Sequence, residues 1–286
     1  MRSAAERRQA FRTMLNGADL VVAPSCPDPL TARLVERMGF PAIHASGSVF
    51  HRTMGYADAG VLTMHEMLDR IWALADGCDL PVIADADTGF GNVVNVVRTI
   101  REYERAGACA IHIEDQVTPK RPTHQGVEGE TISRKEMVNK IRAAVDARSD
   151  PNFIIIARSE VKGDPKEVVE RLAECVEAGA DAAWAGGDEK AVRALRAATP
   201  AALVGVLPRG ATAKQYKEWG ANCGVIPGAL QTAALHAQKL LLEELKRTGT
   251  TAGYFAGIPG IEEMQQFYSR QGNDELEAIE KRFGGG

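Results

Sequence analysis

The chain has 286 residues, of which 45% are hydrophobic and 25% are charged. This length and apolar content suffice for one large α/β barrel or two average domains, and they exclude extensive disorder. The formal net charge of −4 is spread without long blocks of one sign, which argues against nucleic acid or an anionic membrane as a partner. Because no apolar run is long enough to span a bilayer and no secretory signal is evident, we expect a cytoplasmic protein.

Five cysteines are scattered along the chain without a close pair. This spacing excludes a dense disulfide framework and a structural zinc site. We expect the cysteines to be small buried hydrophobic residues.

Short apolar runs alternate with amphipathic helical stretches after an N-terminal helix-forming segment. Eight candidate strands cover residues 20–23, 42–45, 81–86, 110–114, 153–158, 182–185, 202–207 and 224–226. The helical stretches between and after them cover residues 29–38, 64–75, 93–106, 134–147, 165–178, 189–197, 213–219 and 229–246. Alternation with short connections requires parallel strands, and eight such units predict an α/β fold of the (β/α)8 TIM barrel type.

One long connection interrupts this pattern. Residues 117–133 are rich in proline, glycine, threonine and charge, and they leave the carboxyl end of the fourth strand, where barrel active sites form. We therefore expect an active-site lid. Residues 1–247 are predicted to form the barrel with its N-terminal helix, and residues 248–286 a C-terminal helical extension. Within this extension, we expect one or two short helices in residues 258–283.

Acidic side chains mark the ends of the third and fourth strands. Asp85 and Asp87 share a strand face because they are two residues apart, and Glu114 ends the next strand. Such carboxylates repel unless a cation lies between them, and Mg²⁺ held partly through water is the simplest one. The alternative is that one aspartate forms a turn and the other caps a helix. We interpret His112, one pleat deeper, as a hydrogen-bonded core histidine, whereas Asp115 either serves the metal or caps the loop.

Two other strand ends carry groups that bind anions. The turn Ser46-Gly47-Ser48 follows the second strand, and its backbone N–H groups are candidates to hold a substrate carboxylate. Arg158 closes the fifth strand, where a guanidinium requires an anion such as a substrate oxygen, Glu114 or Glu160. A purely structural ion pair is the alternative for Arg158.

The run VIADADTGFGN, followed by IHIEDQVTPKR and FIIIARS, resembles the isocitrate lyase and phosphoenolpyruvate (PEP) mutase superfamily, in particular its short 2-methylisocitrate lyase-like and carboxyphosphonoenolpyruvate mutase-like members. The resemblance extends over nearly the whole chain. It implies a barrel whose C-terminal helices are exchanged between the subunits of a homotetramer. It also implies a Mg²⁺ cofactor, with Mn²⁺ as an alternative, and a small carboxylate substrate.

The resemblance assigns roles by position. The metal residues that it implies are Asp58, Asp85, Asp87 and Glu114, with Asp87 as the direct ligand and the others acting through water. The substrate-binding residues that it implies are Ser46, Gly47, Ser48, Asp85 and Arg158, of which Arg158 contacts the oxygen of a 2-oxo acid or its enolate.

The sequence departs from the lyase pattern at the acid/base positions. The lyase loop Lys-Lys/Arg-Cys-Gly-His reads Lys120-Arg121-Pro122-Thr123-His124 here, so that Pro122 replaces the cysteine. The glutamate near the end of the sixth strand is replaced in the segment AWAGG, and the asparagine region of the seventh strand reads Val204-Gly205-Val206. The candidates for proton transfer are Lys120, His124, Glu128 and Glu160.

These observations predict a Mg²⁺-dependent carbon–carbon lyase that acts on a small 2-oxo or 2-hydroxy di- or tricarboxylic acid through a pyruvate-like enolate. Decarboxylation and retro-aldol cleavage both fit, with Arg158, His124 and Lys120 as catalytic candidates. The alternatives are a mutase or hydrolase of a P–C bond and a barrel that binds metal and carboxylate without catalysis.

Overall fold

Eight parallel strands form the centre of the molecule, in a computed structural model that describes residues 2–122, 127, 129–270 and 272–284. The strands are β1 (Val21–Pro24), β2 (Ile43–Ala45), β3 (Val82–Asp85), β4 (Ala110–Glu114), β5 (Ile154–Arg158), β6 (Ala182–Trp184), β7 (Ala202–Val206) and β8 (Cys223–Ile226). They are hydrogen-bonded in the order β1-β8-β7-β6-β5-β4-β3-β2. A parallel bridge between Ser25 and His44 joins the two remaining edges, so the barrel is nearly closed and the predicted (β/α)8 TIM barrel is confirmed.

Helices alternate with the strands along the chain in the predicted order. They are α1 (Ala4–Leu15), α2 (Pro29–Arg37), α3 (Gly47–Thr53), α4 (Met64–Gly77), α5 (Val93–Arg105), α6 (Arg134–Ala147), α7 (Pro165–Glu177), α8 (Glu189–Ala198), α9 (Ala213–Glu218) and α10 (Ala229–Thr248). All the predicted helices form, but α3 is additional: residues 46–48 were expected to be a turn, and Ser46 is instead the N-cap of this helix. Among the described residues, no helix combines the length and apolar composition that crossing a bilayer requires.

The chain separates into two compact units, residues 1–230 and 231–286. The second unit contains three short helices, α11 (Ala252–Ala256), α12 (Ile261–Ser269) and α13 (Asn273–Phe283). Two of them, α12 and α13, lie in residues 258–283, where one or two short helices were expected. Gly260 and Gly272 precede α12 and α13 with φ angles of 73° and 76°, a left-handed conformation that interrupts a helix. The domain boundary expected after residue 247 stays a prediction.

Apolar side chains fill two layers. The interior layer lies inside the barrel and includes Ile83, Ile156, Val204 and Val225. The second layer packs between the strands and the helices. The five cysteines are all buried and free, which confirms the expectation of small core residues. The barrel is thus a packed scaffold that holds the ends of its strands in fixed positions.

The long connection 117–133 is paired at its base. The Val117 N–H donates to the Glu130 carbonyl over 2.8 Å, and the Ile132 N–H donates to the Asp115 carbonyl over 2.8 Å. His124 and Glu128 lie outside the described residues. The lid function of this connection stays a prediction.

Candidate active site

The carboxyl ends of β2 to β5 bring the predicted polar residues to one mouth of the barrel. Successive strand residues alternate between the interior and the helices, so residues two apart point inward together. Asp85 on β3 is paired in register with His112 on β4, and Glu114 with Arg158 on β5. Strand pairing therefore fixes a row of charged groups side by side.

Asp85 is held by backbone donors. The Gly47 N–H donates to its Oδ2 over 3.1 Å, and the Asp87 N–H donates to its Oδ1 over 3.0 Å. Burial by itself raises the pKa of Asp85, but the nearby His112, Lys120 and Arg158 outweigh burial and lower it well below its usual value. A Cβ atom at position 47 would lie 2.9 Å from Asp85 Oδ2, so only glycine allows this close approach.

Lys120 bridges two carboxylates. Its Nζ lies 2.8 Å from Asp58 Oδ1 and 2.5 Å from Asp87 Oδ1. Burial by itself lowers the pKa of Lys120, but Asp87, Glu114 and Asp85 outweigh burial and raise it well above its usual value. Lys120 is therefore a permanent ammonium ion at neutral pH, a state that fits a charge partner or an acid better than a base.

Among the acidic side chains of the site, Asp87 has the fewest hydrogen-bond partners for its carboxylate oxygens. Its backbone adopts a φ of 48°, a left-handed conformation that is uncommon for a residue other than glycine. Its Oδ2 is buried without a hydrogen-bond partner. Burial raises the pKa of Asp87, and Asp85 adds to the rise while Lys120 opposes it. A buried oxygen in this state is available to a cation.

Glu114 and Arg158 form the opposite side of the row. Arg158 Nη2 lies 3.2 Å from Glu114 Oε2, and Arg158 Nε donates to Glu160 Oε1 over 2.9 Å. Gln116 Nε2 donates to Glu114 Oε1 over 3.0 Å. Burial raises the pKa of Glu114 to about 8, although Arg158 and Lys120 oppose this shift. The side chain of Arg158 remains 19% exposed, so it can meet an anion that enters the mouth.

A chain of neutral groups lies beneath the charged row. Ser25 Oγ is 2.8 Å from His44 Nδ1, and His44 Nε2 is 3.0 Å from His112 Nε2. His112 Nδ1 lies 3.5 Å from Asp85 Oδ1. Burial lowers the pKa of His44 to about 4 and that of His112 to about 3. His112 is thus a hydrogen-bonded core residue, as interpreted from the sequence.

Asp115 does not face the carboxylate row. It accepts hydrogen bonds from the Ser159 Oγ–H and the Glu160 N–H, both over 2.7 Å. Arg171 Nη1 is 3.2 Å from its Oδ2. Of the two roles left open by the sequence, Asp115 fills the structural one, because it fixes the segment that follows Arg158.

The acidic side chains of the site fit a magnesium ion that has few direct protein ligands. Among the described residues, no three carboxylates, imidazoles or thiolates are arranged to hold one ion directly. Mg²⁺ commonly binds through one or two carboxylates and keeps several waters. Asp87, with its unpartnered Oδ2, fits a direct ligand, and the Lys120 ammonium beside it shows that a cation is tolerated there. The donor set therefore fits Mg²⁺ with few direct protein ligands.

The structure brings together most of the predicted site residues. Asp58, Asp85, Asp87, Glu114, Lys120 and Arg158 form the charged row, and Ser46 and Gly47 border it at the start of α3. No contact places Ser48 in this row, and His124 lies outside the described residues. The sequence reasoning missed Gln116, whose place two residues after Glu114 was the available signal, and His51.

His51 stabilises the segment that carries Asp58. Its Nδ1 lies 2.8 Å from the Gly47 carbonyl, and its Nε2 accepts from the Leu62 N–H over 3.1 Å. Because Nε2 accepts, the proton lies on Nδ1 and His51 is neutral. No short-range sequence pattern indicates this role.

Comparison with known proteins shows similarity along the whole chain. Residues 11–246 match the family described as phosphoenolpyruvate phosphomutase. The chain is 37% identical to 2,3-dimethylmalate lyase of Eubacterium barkeri over 288 residues, which cover 96% of this chain and 98% of that protein. It is 39% identical to 2-methylisocitrate lyase of Aeropyrum pernix, with 84% and 80% of the two chains covered.

A similar solved structure contains ligands. The crystal structure of a phosphonopyruvate hydrolase in complex with oxalate and Mg²⁺ superimposes with a TM-score of 0.85 at 31% sequence identity. The match covers 98% of this chain and 99% of that chain.

Proposed function

Because this chain belongs to the phosphoenolpyruvate phosphomutase family, and so to the isocitrate lyase and PEP mutase superfamily of lyases, we propose that it is a Mg²⁺-dependent lyase that cleaves a carbon–carbon bond of a small 2-oxo or 2-hydroxy acid. The observation that carries this proposal is the charged row at the barrel mouth, where Asp87 offers an unpartnered oxygen and Arg158 an accessible guanidinium. The lyases among its relatives support the type of bond.

The residues of the chain have separable tasks in such a reaction. Asp87 would hold Mg²⁺ directly, and Asp58, Asp85 and Glu114 would hold its water ligands. Mg²⁺ supplies a Lewis acid that withdraws charge from an oxyanion when it is bound. Arg158 binds the same developing oxyanion from the β5 side, and its geometry is fixed before the reaction by Glu114 and Glu160. The backbone N–H groups of Ser46 and Ser48 after β2 would donate to the substrate carboxylate, because the Gly47 N–H already donates to Asp85.

Two types of carbon–carbon bond cleavage fit these residue roles, and neither of them requires an oxidant. In decarboxylation of a 3-carboxy-2-oxo acid, the C–CO2 bond breaks, its electrons form the enolate, and a proton is added to carbon. In retro-aldol cleavage, the 2-hydroxyl group loses a proton, the C2–C3 bond breaks and C3 gains a proton. Lys120 and His124 stay the predicted proton-transfer residues, with Lys120 better suited to donate because it is held as a cation.

Hydrolysis of a P–C bond is the second candidate, since the oxalate-bound relative with a TM-score of 0.85 is a phosphonopyruvate hydrolase. A coupled assay separates the candidates. The purified full chain is incubated with Mg²⁺ and oxaloacetate, 2-methylisocitrate, 2,3-dimethylmalate or phosphonopyruvate, and pyruvate is measured with lactate dehydrogenase, while ³¹P NMR detects released phosphate. Mg²⁺-dependent pyruvate from a carbon acid, abolished by EDTA, supports the lyase.

Failure on every carbon acid contradicts the lyase proposal. Phosphate release from phosphonopyruvate alone would then assign the P–C reaction. Absence of all turnover combined with tight oxalate binding in calorimetry would favour the binding-only barrel.

We also propose that the enzyme is a homotetramer with exchanged C-terminal helices. Large apolar side chains of residues 231–286 are exposed, as the following members show: Leu235, Leu240, Leu242, Leu245, Met264, Tyr268, Leu276, Ile279 and Phe283. Exposed apolar surface of this extent is typical of a subunit interface. The cytoplasmic location stays a prediction.

A further inference from the structure

The mouth of the barrel is divided into a charged half and an apolar half. Inward positions on β3, β4 and β5 carry Asp85, Glu114 and Arg158 at their carboxyl ends. On β6, β7 and β8, the inward residues that pack in the interior layer are Ala182, Trp184, Val204, Cys223 and Val225, with Ala202 packed against them. None of these inward residues, all of which the structure describes, carries a charge.

Val206 extends the apolar half to the opening. Ala202 and Val204 pack against the interior layer, and Val206 shares their face because strand residues two apart point the same way. Val206 is 37% exposed, so its side chain borders the space above the barrel. A large apolar side chain at this position is available to contact a substrate.

The backbone of β7 packs closely against the end of β6 at the residue before Val206. A Cβ atom on Gly205 would lie 1.8 Å from the Ala185 carbonyl oxygen, so glycine alone permits the close approach of β7 to β6. The Tyr216 hydroxyl donates to the same Ala185 oxygen over 3.0 Å. This close packing at Gly205 fixes the backbone position of Val206, the next residue.

Trp184 joins the two halves. Its ring lies 5.1 Å from the Arg158 guanidinium carbon and 4.5 Å from the His112 ring centroid. Gly186 follows two residues later, beyond the end of β6, and nothing lies within 4 Å of the position that its Cβ would take. The side of the mouth next to Arg158 thus has an aromatic floor, open space and no described cation on its strands.

We propose that the part of the substrate that lies over β6 and β7 is a short alkyl group, so that the enzyme cleaves alkyl-substituted dicarboxylic acids of the malate type and discriminates against acids with a third carboxylate. This inference rests on the proposed lyase function and narrows its substrate class. A carboxylate placed against Val206 and Trp184 would lose hydration without gaining an ionic partner on these strands. Arg209 follows Val206 by three residues, beyond the end of β7, and is exposed.

The cleavage is the same for both classes of substrate. The C2 hydroxyl group loses a proton, the C2–C3 bond breaks with its electron pair remaining on C3, and C3 gains a proton. The products are a 2-oxo acid and a saturated carboxylic acid, and no oxidant or reductant takes part. Only the substituent on C3 differs, being alkyl in the favoured substrate and carboxymethyl in the disfavoured one.

A matched pair of substrates tests the inference. 2,3-Dimethylmalate carries methyl on C3 and 2-methylisocitrate carries carboxymethyl, and cleavage of either yields pyruvate, so one lactate dehydrogenase assay measures both. With the full chain and Mg²⁺, kcat/KM for dimethylmalate should exceed that for methylisocitrate by about 100-fold or more, because a pocket without polar partners rejects a charged group strongly. Equal or better cleavage of methylisocitrate overturns the inference and leaves the lyase function standing.

The variant Val206→Asn tests the residue. It should lower kcat/KM for dimethylmalate through KM and reduce the preference by roughly tenfold, the lower end of what one side-chain contact contributes. Val94→Asn is the matched control, since Val94 is 73% exposed on the outer helix α5, and it should keep the preference of the unchanged chain. A Val206→Asn variant with unaltered preference overturns the assignment.

Binding measurements keep the two proposals apart. If neither acid is cleaved, the retro-aldol form of the lyase function fails, but calorimetric titration of the Mg²⁺-loaded chain with each acid still measures the preference. Tighter binding of dimethylmalate supports the apolar subsite without turnover, and tighter binding of methylisocitrate contradicts it.

Discussion

Asp87 combines a left-handed backbone, a buried side chain and an oxygen without a hydrogen-bond partner. Such a side chain costs stability unless a cation uses it. In the described structure the Lys120 ammonium supplies part of that charge. Asp87 is thus better suited to binding an ion than to stabilising the fold.

Replacement of Asp87 by Asn should weaken metal binding strongly and keep the fold. Asparagine tolerates the φ of 48° but lacks the negative charge, so we expect Mg²⁺ affinity to fall by at least about 100-fold, the upper end of the losses seen when only an outer-shell partner is removed. Calorimetry with Mg²⁺ measures the affinity, and circular dichroism with thermal unfolding checks the fold. Mg²⁺-dependent turnover retained in this variant would contradict the assignment.

The residues of the candidate site could be predicted from the sequence where they lie at the ends of strands. Asp85, Glu114 and Arg158 lie at consecutive strand ends, so parallel strands bring them together whatever the helices do. The bridge from Lys120 to Asp58 and Asp87 was not predictable from spacing, since it joins three loops that only the folded barrel brings into contact. Family resemblance, and not pattern, had indicated Asp58.

At the scale of elements, β7 and β8 were as predictable as the central strands, because parallel strands buried on both faces are continuous apolar runs. Helix α3 was missed for a physical reason. Its seven residues, GSVFHRT, include Gly, Val and Thr, which form helices poorly. Tertiary contacts hold it, among them the hydrogen bond from His51 to the Gly47 carbonyl.

The segment after β5 depends on one buried ion pair. Arg171 on α7 meets Asp115 at 3.2 Å, with side chains that are 7% and 0% exposed. Asp115 in turn fixes Ser159 and Glu160, and Glu160 holds Arg158. An outer helix thereby positions the active-site arginine.

Arg171→Met should consequently weaken both stability and activity. The buried Asp115 carboxylate would lose its charge partner, which costs about 3 kcal/mol of unfolding free energy. Arg193→Met is the control, because the Arg193–Glu189 pair is about half exposed and such pairs contribute less than about 1 kcal/mol. Urea unfolding followed by fluorescence measures both variants, and equal losses would contradict the role of Arg171.

At the scale of the whole molecule, residues 231–286 differ from the barrel in having no buried residue in helices α10, α11 and α12 as described. Hydrophobic burial is the main source of folding stability. A segment without a core of its own therefore needs apolar surface from elsewhere, and the tetramer that we propose would supply it.

Leu242→Glu should shift the assembly to smaller species. Leu242 is 60% exposed on α10, and a charge buried at a subunit contact would destabilise it. Sedimentation velocity over a range of concentrations measures the assembly. Met38→Glu, at an apolar position 68% exposed on the barrel unit, should leave it unchanged. A monomeric parent chain at every concentration would contradict the tetramer.

Two glycines at the barrel mouth have opposite surroundings. Position 47 has a carboxylate oxygen 2.9 Å from where a Cβ would be, whereas position 186 has no atom within 4 Å. Mutational tolerance should follow this asymmetry, so that random libraries at 186 yield folded proteins with altered selectivity while those at 47 do not. Evolution can accordingly diversify what the enzyme accepts on one side of the opening without disturbing the ion-binding chemistry on the other.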